Sequence, residues 1–65
     1  METQLLRLPD VRQATGLGRS TIYALIAEGR FPSPIKVSER ATAWVGKEVN
    51  AWIEQRIVES RKSVA

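Results

Sequence analysis

Arg19, Ser20 and Tyr23 stand together in the run RSTIYALIAEG. A guanidinium carries five donors in a planar fork, and a serine hydroxyl and a phenol each donate and accept. Such a set can grip a phosphate or read a planar polar edge. It cannot by itself break a bond. The usual tools for that are missing, because the chain has no cysteine and no histidine. Thiolate and imidazole are thus absent as nucleophile, general base and metal ligand. The carboxylates Asp10, Glu28, Glu39, Glu48, Glu54 and Glu59 are scattered, and no two share an apolar helix stripe. The residues therefore predict no enzyme, no metal and no cofactor.

Charge and size narrow the field further. With 65 residues the chain is read as a single domain over 1–65, with 1–4 and 60–65 expected to be flexible. Its core is too small to carry much stability, and disulfides cannot help it. Lys and Arg number 10 against 7 Asp and Glu, a formal net charge of +3. Between Arg7 and Arg40 the cations Arg7, Arg12, Arg19, Arg30, Lys36 and Arg40 face only Asp10, Glu28 and Glu39. After residue 46 the signs nearly balance. A positive excess confined to one part of the chain suits a polyanionic partner. The start METQLLRLPD has no basic run before an apolar core, and no apolar run is long enough to span a bilayer. A cytoplasmic protein without a membrane partner is expected.

The elements that must position Arg19, Ser20 and Tyr23 can be read from periodicity. A first helix is expected at about 9–15, opened by Pro9 and favoured by Asp10 at its positive end. Leu8 and Val11 should face inward; Arg12 and Gln13 should face water or phosphate. Thr15-Gly16-Leu17-Gly18 is a turn, with Gly16 free to take positive φ and Leu17 plugging the angle between two helices. The second helix is expected at about 19–28, with Gly18 as N-cap and Gly29 as its left-handed end. Ile22, Leu25 and Ile26 form its inner stripe. Ser20, Ala24 and Ala27 fall opposite, with Tyr23 on one shoulder. Small residues there let a helix sit deep in a groove, although for an isolated helix plain solvent exposure is the favoured explanation. Two short helices across a glycine turn make a helix-turn-helix.

The remainder reads as support. Leu5, Leu6 and Leu8 should pack in part, with Arg7 pointing away from an extended segment. Phe31 should anchor the rigid linker FPSP onto the core. Ile35-Lys36-Val37 alternates as a half-buried strand, Ser38-Glu39-Arg40 turns, and residues 41–45 return. This hairpin, about 35–45, is a wing whose tip would carry Lys36 and Arg40. Charge alone favours ordinary solvated cations for these two. A last helix at about 47–59 presents Val49, Trp52, Ile53 and Ile57 as one stripe. Trp44 and Trp52 are expected in the core. The tail after Glu59 is expected to fray. The fold class is thus mainly α with a small β-hairpin, a winged helix-turn-helix.

The strings RLPDV and TGLGRSTIYALIAEGRFPSPIKV, then Arg40, Trp44 and EVNAWI, resemble the AlpA family of phage and prophage regulators. The resemblance runs from about residue 6 to 57 and rests on the ordered combination. It implies a winged helix-turn-helix related in architecture to the DNA-binding domain of MerR regulators and to excisionases. It also implies a DNA-binding transcriptional regulator of a phage, prophage or integrated element, with the helix at 19–28 in the major groove. Arg19, Ser20, Thr21 and Tyr23 match the family's segment at the start of the recognition helix, and Lys36 and Arg40 match its wing cations. Double-stranded DNA is the partner implied, with RNA polymerase or an integrase as protein partners and a nucleoid-associated location. An excisionase that bends DNA for an integrase is an alternative within the family. A protein-interaction module without DNA binding is another, permitted by the modest charge and by Ala24 and Ala27, where the family often has a basic residue.

Overall fold

The computed structural model describes residues 4–64 as β1 (Leu5–Leu6), α1 (Leu8–Thr15), α2 (Arg19–Ala27), β2 (Ile35–Ser38), β3 (Ala41–Val45) and α3 (Gly46–Val64). Both ends of α1 and the end of α2 have local causes. Asp10 accepts a hydrogen bond from the Arg7 N–H at 3.4 Å, closing the start of α1, and Pro9 needs no partner there. Gly16 ends α1 at φ 75° and donates its N–H to the Arg12 carbonyl at 2.8 Å. Thr15 Oγ1 donates to the Val11 carbonyl and accepts from the Leu17 N–H, which stiffens the turn. Helix α2 closes in a Schellman motif around Gly29, at φ 73°. The Gly29 N–H donates to Ile26 and the Arg30 N–H to Leu25, at 3.0 and 2.8 Å. Glu28 caps the helix and lies just outside it.

The core takes one or two side chains from nearly every element. Val11, Ile22, Trp44 and Val49 are fully buried and Phe31 almost so. Leu6, Leu8, Leu17, Leu25, Ile26, Trp52 and Ile53 pack around them. Each fully buried aliphatic side chain contributes about 1.5–3 kcal/mol of transfer free energy. The expected inner stripe of α2 and the anchoring of the linker by Phe31 are therefore present. Trp44 lies at the centre, whereas Trp52 is only partly buried.

The sheet departs from the expected hairpin in two ways. It has three strands in the order β1-β3-β2, all antiparallel, with Leu5 opposite Val45 and Leu6 opposite Trp44. The N-terminal leucines thus form an edge strand, and Gln4 accepts the Gly46 N–H at 2.6 Å. On the other edge Ile35 pairs with Ala43 and Lys36 with Thr42, but Ser38 pairs with Ala41. The slip leaves Val37 as an extra residue, a bulge that breaks the alternation. The reading of β2 as half-buried is corrected accordingly: all four of its residues are exposed.

Helix α3 corrects two further expectations. It starts at Gly46, one of the two expected positions, and is helical beyond the expected end at about residue 59, as far as Val64. Arg56 pairs with Glu59, and the Gln55 amide donates to the same carboxylate at 2.9 Å. The Gln55 hydrogen bond, then the Arg56 charge, hold Glu59 below the usual carboxylate range. These one-turn contacts support the helix beyond the point where its apolar stripe ends. Ile57, expected to face inward, is 43% exposed. The molecule measures 46 × 30 × 19 Å, elongated for its size.

Candidate nucleic-acid interface

The start of α2 is open. Gly18 is its N-cap in extended backbone, φ −79° and ψ 166°, and no side chain caps it. The first N–H groups of a helix have no partner inside it, and they stand at the positive end of its dipole. Arg19, Ser20 and Thr21 occupy that first turn, and all three are exposed. Ala24 and Ala27 continue the outer face with small side chains, also exposed. Ile22 holds the opposite face in the core.

Arg19 is not free to wander. Its guanidinium carbon lies 5.4 Å from the centroid of the Tyr23 ring, one helical turn on. Tyr23 in turn meets Trp44 edge to face, with ring centroids 6.2 Å apart. The most central core residue thus supports a phenol, and the phenol supports a cation. Tyr23 remains 39% exposed.

Arg12 and Gln13 of α1, with Pro9, Gly16, Leu17 and Gly18, line a shallow depression beside this helix start. The fold therefore brings a second arginine to the open end of α2. Both α1 residues are expected from the sequence to face water or phosphate, and neither is among the site residues expected there. The signal that joins them to the site is Gly16: its positive φ turns the chain so that α1 and the start of α2 share one surface. Arg30 contributes less charge, because Glu28 lies 3.5 Å from it in an exposed ion pair.

The wing joins the Arg19–Tyr23 stack through Trp44 of β3. Lys36 is exposed in the body of β2, opposite Thr42, and Arg40 is exposed in the two-residue turn between Ser38 and Ala41. Arg40 is therefore at the tip and Lys36 behind it. The path between recognition helix and wing is tied at two points. Trp52 Nε1 donates to the Arg30 carbonyl at 2.8 Å, and Trp44 Nε1 donates to the Pro32 carbonyl at 3.0 Å. Phe31, between those carbonyls, packs edge to face on Trp52 at 4.8 Å. Trp44 and Trp52 thus pack in or against the core and also fasten the linker between α2 and the wing.

Among the described residues no group of acidic side chains could hold a metal ion, and no helix is long and apolar enough to cross a membrane.

Comparison with known proteins finds relatives of this sequence. Residues 4–57 match the family model described as prophage CP4-57 regulatory protein (AlpA). A protein of Enterobacteria phage P4, ORF88, is 43% identical over 56 residues, spanning 86% of this chain and 64% of that protein. The DNA-binding transcriptional activator AlpA of Escherichia coli K12 is 32% identical over 59 residues, spanning 82% of this chain and 84% of that one. No solved structure matches.

Proposed function

This chain belongs to the AlpA family of prophage regulatory proteins, and we propose that it is a sequence-specific DNA-binding transcriptional regulator of a phage, prophage or integrated element. The observation that carries the proposal is the exposed, uncapped start of α2, with Arg19 stacked on Tyr23 and Arg12 beside it. Seated in a major groove, this end presents backbone N–H groups and Arg12 to phosphates. Arg19 then reaches a guanine edge, Ser20 and Thr21 supply hydroxyls, and Tyr23 supplies its phenol. The small Ala24 and Ala27 let the helix lie close to the bases. Lys36 and Arg40 hold the backbone or the minor groove alongside, positioning more than specifying. The Escherichia coli relative, named a DNA-binding transcriptional activator, supports the same reading.

The test is a nuclease footprint over the DNA flanking the gene, with affinity measured against salt. Protection over a promoter is expected. If about four phosphates are neutralised, log K falls against log salt with a slope of roughly −3.6. A slope near zero on every DNA tested overturns groove binding. Protection confined to repeated sites at an attachment site, with hypersensitive bends, replaces the regulator with an excisionase.

A further inference from the structure

The second half of α3 leaves the domain. Val49 is fully buried and Trp52 and Ile53 pack on the core, but every residue from Glu54 to Lys62 is exposed. Within that stretch stand two large apolar side chains, Ile57 at 43% and Val58 at 50% exposure. Glu54, Ile57, Val58 and Arg61 are spaced i, i+3, i+4, i+7 and share one face. At about 100° per residue, this face lies roughly 140° around the axis from the one that Val49, Trp52 and Ile53 bury. It is a separate surface, acid at one end, basic at the other and apolar between.

That order is self-complementary in one direction only. An antiparallel copy of the same helix, centred between Ile57 and Val58, sets Ile57 on the partner's Val58. It sets Glu54 on the partner's Arg61, and the two-fold axis repeats both contacts. A parallel copy in register would set Glu54 on Glu54 and Arg61 on Arg61. Neither Glu54 nor Arg61 has an ion-pair partner in its own chain among the described residues, whereas Arg56 and Glu59 already hold each other. Antiparallel helices also oppose their dipoles favourably.

We propose that this face of α3 docks on the same face of a second copy of this chain, as an isologous antiparallel helix pair. Four residues a side cover far less than the ~800 Å² per partner of a standard interface, so the association is weak and is read at high protein concentration. The proposal is independent of DNA, and its test uses none.

Sedimentation of the chain over a range reaching about 1 mM should show a reversible dimer. Glu54→Arg and Arg61→Glu should each weaken it by at least about tenfold, because each creates two like-charge contacts across the axis. The double reversal should restore most of the association. All three variants change exposed side chains, so unchanged thermal melts serve as the folding control. The chain has no cysteine, so orientation can be read directly. A mixture of the Glu54→Cys and Arg61→Cys proteins should form mixed disulfides in preference to either self-disulfide. A monomer at every concentration overturns the proposal. So does a double reversal as dissociated as the single ones, or a preference for self-disulfides.

Discussion

In the proposed reading Arg19 is the residue on which recognition turns, and its surroundings define what its replacement should do. It is exposed, it pairs with no acid among the described residues, and its guanidinium lies over the Tyr23 ring one turn away. An exposed cation–π contact is worth about 0.5–1 kcal/mol, so Arg19→Ala should lower stability by no more than that. On the cognate DNA it should cost about 1–3 kcal/mol and flatten the preference at one base pair. Arg19→Lys should recover part of the general affinity but little of the preference, since an ammonium has no planar fork. Binding titrations of both variants against single-base-pair substitutions check this; equal losses across the panel would mean that Arg19 grips only a phosphate. The position of Arg19 was legible in the sequence because Ile22, Leu25 and Ile26 fix the inner face of α2. The stack on Tyr23 was not, because it depends on Trp44, brought there from β3 by tertiary packing.

The elements divide in the same way. Helices α1 and α2 carry their own signals: Pro9 and Asp10 at one start, Gly16 and Gly29 at the two ends. Strand β1 carries only the hint of the Leu6-Arg7-Leu8 alternation, since two leucines have no period and their partner is β3, far along the chain. The bulge at Val37 hides equally well, because alternation in sequence cannot show a register slip. Nor did any glycine or proline mark the end of α3, and the ion pair that supports its later turns is a local detail. The junction of β1 with α3 yields a prediction of its own. A Cβ on Gly46 would lie 2.9 Å from the Gln4 carbonyl oxygen, the atom that accepts the Gly46 N–H. Gly46→Ala must therefore push the N-terminal backbone away from the start of α3 and strain the pairing of Leu5 with Val45. A cost of about 1–3 kcal/mol is expected from such overpacking. Chemical denaturation measures it; a variant as stable as the parent would show that β1 yields without resistance.

At the scale of the whole molecule, the cations fall into two groups that a binding experiment can separate. Arg12, Arg19, Lys36 and Arg40 belong to α1, α2 and the wing. The two indole hydrogen bonds to the Arg30 and Pro32 carbonyls fasten the linker between α2 and the wing. A preorganised pair of elements loses less freedom on binding than two loosely linked ones. Lys62 lies elsewhere, roughly 24 Å along the helix axis from Gly46 at the sheet. If the wing grips the backbone, Lys36→Ala and Arg40→Ala should each weaken binding to all sequences alike. Each should also bring the salt slope closer to zero by about 0.9, the loss of one phosphate contact. Lys62→Ala carries the same change in net charge and should leave the slope where it was. The comparison distinguishes a contact from a general loss of positive charge, which would move all three variants together. Salt titrations on a cognate site and on an unrelated duplex, with the three variants side by side, measure the difference. If a wing variant alters sequence preference while keeping the parent's slope, the wing reads bases, and the division of labour between α2 and the hairpin must be redrawn.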